Sequence, residues 1–132
     1  MNCLLDTRAF LWAAFSPVKL SAKAKKEIRA ADNRICLSTI SFWEISLKYA
    51  LGKIELKNCT PDDMPEIAKQ LHIEIIAPTA HETASFHRLP KVKHKDPFDR
   101  MIIWQAIQHP LVLISKDAGF PEYEAFGLKV FW

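Results

Sequence analysis

The four residues LVLI at positions 111–114 are all branched aliphatics, with no polar position among them. A strand written that way is covered on both faces, which a chain achieves by placing helices between parallel strands. The rest of the sequence supplies both. Residues 2–5, 34–37, 73–76 and 128–131 read as four further short strands. After Asp6 and Thr7 the spacing of Phe10, Leu11 and Ala14 is helical until Pro17, and Ser21 is placed to cap the helix AKAKKEIRAA. Residues 38–51 carry Ile40, Trp43, Leu47 and Leu51 on one stripe and stop at Gly52. Residues 61–71 and 79–89 are further helices, the second ended by Pro90. Strands alternating with helices predict an α/β fold with a largely parallel sheet. No repeat, linker or low-complexity tract divides the chain, so residues 1–132 are expected to form one domain. A chain of that length buries roughly two-thirds of its unfolded surface.

Composition narrows the class. With 49% hydrophobic and 25% charged residues the chain is no disordered segment. Cys3, Cys36 and Cys59 are odd in number and widely spaced, with no CxxC pair for zinc or redox chemistry, and read as reduced core residues. The apolar start MNCLLDTRAFLWAAF is interrupted by Asp6 and Arg8 and has no basic leader region. No segment reaches the ~20 apolar residues of a membrane span. A cytosolic protein without a membrane partner is expected. The net charge of +3 names no partner, but its distribution is uneven. One basic cluster is Lys19, Lys23, Lys25, Lys26 and Arg29; another is Arg88, Lys91, Lys93, Lys95 and Arg100, with His87 and His94 interleaved. Either is a solvated face or a nucleic-acid footprint.

In parallel α/β sheets ligands collect outside the carboxyl ends of the strands. Four acids fall there: Asp6 after the first strand, Glu44 about one and a half turns into the helix after the second, Asp99 in the first turn after the basic loop, and Asp117 after LVLIS. Each has an ordinary structural alternative. Asp6 can cap its helix, Glu44 can close a capping box with Ser41 or pair with Lys48, and Asp117 can hold a turn. Within HKDPFDR, helix geometry separates the two acids. Pro97 suits the first helical position, which makes Asp96 the cap and puts Asp99 on the packing face with Ile102, Ile103 and Ala106. An acid that begins a buried stripe needs a cation. If the four acids converge they repel one another, and a divalent cation is the simplest way to keep them ionised. Magnesium or manganese suits carboxylate ligands, and a cation so held activates water and steadies a phosphoryl transition state. Lys91, Lys93, Lys95 and Arg100 would then hold the phosphodiester backbone. Together these features describe nuclease chemistry.

The ordered set LLDT at 4–7, LSTISFWEISLK at 37–48, KDPFDRMIIWQA at 95–106 and LISKD at 113–117 resembles the PIN domain, in the VapC-type toxin branch of toxin–antitoxin systems. LSAKAKKEI at 20–28 and the ending GLKVFW match that branch too. The resemblance implies a three-layer α/β/α fold, a magnesium- or manganese-dependent ribonuclease, a homodimer, and inhibition by a cognate antitoxin. It carries the metal-binding acids onto Asp6, Glu44, Asp99 and Asp117, with Ser115 at a position that often holds a hydroxyl near the site. No acid of the set is missing. Trp12 and Trp43 lie on the helices that follow Asp6 and carry Glu44, so both could flank the mouth of the site. The first of those helices is apolar nearly all round and is covered either by its own domain or by another chain. The resemblance implies that an antitoxin segment lays apolar side chains there and presents a basic residue to the acids. A housekeeping nuclease of RNA maturation and a binding module that does not cut are the alternatives within this fold. A phosphorylated receiver-like domain would need an adjacent acidic pair after the first strand, where this chain has only Asp6.

Overall fold

The computed structural model describes residues 1–132. Strands β1 (Asn2–Leu5), β2 (Arg34–Ser38), β3 (Glu74–Ile76), β4 (Val112–Ile114) and β5 (Lys129–Phe131) form one sheet in the order β3-β2-β1-β4-β5. Every pairing is parallel. Parallel neighbours need crossovers. Most are supplied by helices α1 (Thr7–Phe15), α2 (Ala22–Arg29), α3 (Thr39–Ala50), α4 (Met64–Gln70), α5 (Ala80–Ser85) and α6 (Pro97–Gln108).

Successive strand residues point to opposite faces, and each face has its own core. Cys3, Leu5, Ile35, Leu37 and Ile114 pack with Phe10, Ala24, Ile45 and Met64 of α1 to α4. Leu4, Cys36 and Leu113 face the other way, onto Ile102, Ile103 and Ala106 of α6 and onto Tyr123. This is the expected three-layer α/β/α arrangement. No helix is long and apolar enough to cross a membrane. Cys3 and Cys36 are buried free thiols, each pushed up to about 11 by desolvation.

The differences from expectation are local. The helix expected over 61–71 begins as a 3-10 turn at Pro61–Asp63 before α4, and the one expected over 79–89 tightens into a 3-10 turn at Phe86–Arg88. Phe120–Phe126, for which no element is expected, winds into 3-10 turns ended by Gly127 at φ +102°. Pro121 and the short run leave no helical period to read there. The apolar stripe of α3 is the larger correction. The residues α3 buries are Ser41, Glu44 and Ile45, while Trp43 is 60%, Leu47 40% and Leu51 60% exposed. The helix turns a polar and acidic edge toward the sheet's C-terminal end; of its stripe only Ile40 packs on the core, and Trp43, Leu47 and Leu51 are left outside.

Candidate metal centre

Strand register brings the first two site residues together. Leu5 lies opposite Ile114, so the next residues along each strand, Asp6 and Ser115, come side by side. The Asp6 amide donates to the Ile114 carbonyl at 3.2 Å, and the Ser115 hydroxyl donates to Asp6 Oδ2 at 2.5 Å. The other carboxylate oxygen accepts from the Ala9 amide at 2.7 Å, so Asp6 caps α1 as well as lining the site. Ser115 Oγ accepts in turn from the Asp117 amide at 3.1 Å, and Asp117 Oδ1 accepts from the Gly119 amide at 2.8 Å.

Glu44 reaches the same place from α3. Thr7, the first residue of α1, donates to Glu44 Oε1 at 2.6 Å and lies 2.9 Å from the Ser41 hydroxyl. Lys48, one turn further along α3, is ion-paired with Glu44 Oε2. Both structural alternatives foreseen for Asp6 and for the Glu44–Lys48 pair are thus present, and neither removes the carboxylate from the site.

At the start of α6 the carboxylate of Asp96 accepts from the Asp99 amide at 3.0 Å, as a cap does. It does more than cap. Glu44, Asp96 and Asp99 offer oxygens that all lie within 4.8 Å of one another, and so do the ligand atoms of His94, Asp99 and Asp117. Asp99 belongs to both groups, whereas Asp6 stands in the wall with both oxygens hydrogen-bonded. The acids line a cavity of 460 Å³ together with Thr7, Lys48 and His94. A larger groove of 730 Å³, among Leu20, Ile28, Ile35 and Leu71, has no carboxylate in its lining, so the chemistry sits in the smaller one.

His94 has no site role in the sequence reading. Its Nε2 lies 2.9 Å from Asp99 Oδ2. A signal for it does exist: in KVKHKD the lysines are exposed while Val92 and His94 turn inward, the alternation of an extended segment. Lys91, Lys93 and Lys95 therefore stand in solvent, Lys91 and Lys95 on the rim of a neighbouring cavity of 450 Å³ that shares His94 with the acidic one. Arg100 does not stand with them. Its guanidinium donates to the carbonyls of Leu89 and Pro90, each at 3.1 Å, and to the Tyr123 hydroxyl at 2.9 Å, so it fastens the base of the loop.

Of the two tryptophans, Trp12 lines the acidic cavity and packs on Trp132 at 5.6 Å between ring centres. Trp43 does not; it lies edge-on to Phe98 at 4.9 Å on the exposed side of α3.

Burial leaves the acids short of compensation. Desolvation raises Asp6 to about 6, against the hydrogen bonds from Ser115 and Ala9. Desolvation and the charge of Asp96 raise Asp99 to about 6, against the hydrogen bond from His94. Burial lowers the Lys48 ammonium, but the hydrogen bond and charge of Glu44, helped by Asp96 and Asp99, raise it on balance. An oxygen-rich donor set with unmet negative charge and no thiolate fits a hard divalent cation.

A parallel sheet with acids gathered past its strand ends is the plan of the PIN domain, and residues 3–125 match that domain. The chain belongs to the PIN family. It is 29% identical to Ribonuclease VapC22 of Mycobacterium tuberculosis over 114 residues, 86% of this chain and 85% of that protein. Its fold is similar to that in the crystal structure of VapBC2 from Rickettsia felis bound to a promoter DNA fragment, with a TM-score of 0.66 at 19% identity, covering 99% of this chain and 98% of that one. A toxin–antitoxin complex from Klebsiella pneumoniae is also similar, with a TM-score of 0.60 at 18% identity over 98% and 96% of the two chains.

The raised acids set a sign for stability against pH. A carboxyl whose folded pKa lies above its unfolded value favours folding while protonated, and that contribution is lost as pH rises. For Asp6 and Asp99 the loss falls between about pH 4 and about pH 6. Cation-free protein is therefore expected to gain thermal stability at neutral pH on Asp99→Asn, while the stabilisation by added Mn2+ shrinks. Calorimetric melts of both proteins with and without Mn2+ check this.

Proposed function

We propose that this chain is a divalent-cation-dependent endoribonuclease, the toxin of a toxin–antitoxin pair, which hydrolyses RNA phosphodiester bonds. The convergence of Asp6, Glu44, Asp99 and Asp117 on one cavity beside an exposed lysine rim carries this reading. Mg2+ or Mn2+, when bound, supplies a water of lowered pKa and neutralises charge building on the phosphate. Asp6, Glu44 and Asp99 hold it, with Asp117 completing the set. Ser115 fixes the Asp6 carboxylate and the Asp117 backbone through one hydroxyl, and Thr7 does the same for Glu44. Lys91, Lys93 and Lys95 receive the RNA backbone, and Arg100 serves them by holding the loop. Reduced buried thiols suit the cytosol, where RNA and antitoxin are made.

Cleavage by purified protein in Mn2+ tests the assignment. Asp99→Asn is expected to abolish it, whereas Asp96→Asn keeps a capping oxygen, removes a neighbouring charge and leaves substantial activity. An inactive Asp96→Asn beside an active Asp99→Asn would reverse the roles of the pair. Binding of RNA without any cleavage would instead make the chain a binding module.

The lysine rim is tested by salt. Replacing Lys91, Lys93 and Lys95 together with Ala should flatten the dependence of RNA affinity on salt concentration by about 2 in log–log slope, roughly 0.7 for each phosphate of a single strand that is no longer neutralised. An unchanged slope in filter binding would make them merely solvated.

Two surfaces fit protein partners. The acidic cavity shares Leu11, Trp12 and Ile54 with an apolar cavity of 290 Å³ that Phe15 and Leu56 also line. An antitoxin segment would fill that channel with apolar side chains and place a basic residue among the acids. Trp12→Ala should weaken antitoxin binding by ~2 kcal/mol or more while RNA cleavage by the free enzyme persists; titration calorimetry beside a cleavage assay measures both. The outer stripe of α3, with Trp43, Leu47 and Leu51, is suited to a second copy of this chain, giving a homodimer.

A further inference from the structure

We propose that His94 is a metal ligand, its Nε2 adding a nitrogen donor to the carboxylates of Asp99 and Asp117, and that this donor biases the centre toward Mn2+ over Mg2+. The proposal rests on the metal-dependent nuclease reading and deepens it.

Spacing is the first ground. Donors about 2.1 Å from an octahedral ion stand about 3 Å apart on adjacent vertices. His94 Nε2 and Asp99 Oδ2 are 2.9 Å apart, so the hydrogen bond seen between them has the length of one edge of such a shell. The third member argues against a hydrogen bond as the whole purpose. A single ring proton serves one carboxylate, yet the Asp117 ligand atom also lies within 4.8 Å of both, with no hydrogen bond from the ring. Three donors within 4.8 Å of one another, two of them carboxylates, are satisfied together by a shared cation.

The second ground is how the ring is held. The imidazole meets the Phe120 ring edge-on at 5.4 Å between centres. Its backbone carbonyl accepts from the buried Tyr123 hydroxyl at 3.0 Å, and Arg100 donates to that same hydroxyl. Gly119 leaves the space the ring uses: a Cβ there would lie 2.9 Å from His94 Nδ1 and 3.3 Å from Asp117 Oδ1. A histidine merely exposed in a basic loop needs none of these fixtures. Mg2+ takes oxygen ligands and keeps its waters, whereas a first-row transition ion accepts imidazole more readily, which gives the donor its selective effect.

The test uses the full chain loaded with Mn2+ and measures electron spin echo modulation, with natural-abundance and with 15N-histidine-labelled protein. Directly bound imidazole is expected to give 14N modulation that changes on labelling and vanishes in His94→Asn. In competition titrations His94→Asn should lower Mn2+ affinity by about tenfold or more while Mg2+ affinity falls much less. Gly119→Ala keeps the histidine but crowds its ring, and should reduce the modulation as well. Bound Mn2+ without histidine modulation in the wild-type protein overturns the ligand role and leaves the nuclease reading standing; this arm needs no variant, so a folding defect in His94→Asn does not blur it. Modulation that survives in His94→Asn assigns the nitrogen to another histidine and also overturns it. A wild-type protein that takes up no Mn2+ overturns the metal-dependent reading itself, and the proposal with it.

Discussion

Repulsion among carboxylates is the constraint around which this molecule is arranged. Glu44, Asp96 and Asp99 present oxygens within 4.8 Å of one another. At that distance, and at an effective dielectric of about 20, two full charges oppose each other by about 3–4 kcal/mol. A hydrogen bond to a charged group returns only about 1.5–3 kcal/mol. One donor per acid therefore roughly offsets one neighbour and no more. The protein's own partners are two for Asp6, Ser115 and the Ala9 amide, two for Glu44, Thr7 and the Lys48 ammonium, and a single side chain, His94, for Asp99. Both Asp6 and Asp99 are displaced upward, Asp6 chiefly by burial and Asp99 by burial and then by the charge of Asp96. On the proposed reading, a cation answers the charge deficit that these partners leave.

The fold makes such a deficit possible because a parallel sheet delivers distant segments to one edge. Asp6 and Ser115 are 109 positions apart in sequence and hydrogen-bonded in space, and the pairing of β1 with β4 alone puts them there. The covered strand cores beneath them cannot slip by one residue without exchanging Leu4 and Leu113 for Leu5 and Ile114 across the sheet. Register that is fixed by core packing is thereby also fixed for the acids.

Much of this is legible in the sequence. The aliphatic run at β4 and the alternation of strands and helices define the layers, and Pro97 separates a capping Asp96 from an inward Asp99 by helix geometry alone. Three things escape a reading by helical period and charge alone, each for its own reason. The stripe Ile40, Trp43, Leu47 and Leu51 has the period of a packing face, but period says nothing of which way a helix is turned; here Ser41, Glu44 and Ile45 take the inner side. Arg100 shares a charge with its lysine neighbours, yet its planar fork finds carbonyls of its own loop, a choice made by tertiary distance. His94 hides in a basic run, and its direction depends on an extended backbone that charge counting passes over.

The two tryptophans illustrate a division of the surface. Trp12 shares the acidic cavity and its apolar continuation, whereas Trp43 lies on the outer side of α3 against Phe98 and lines neither. The one helix thus has its acid turned inward to the centre and its apolar stripe turned outward. On the proposed reading a second copy covering the stripe would leave the mouth of the centre open, and an inhibitory segment could enter without dissociating the pair. On that same proposed reading, a cation and a basic side chain of the inhibitory segment would answer the same charge deficit and so oppose each other's binding through shared electrostatics. Inhibition proposed in this way would need no change in the fold of the nuclease: it would follow from acids that are held close together at one cavity.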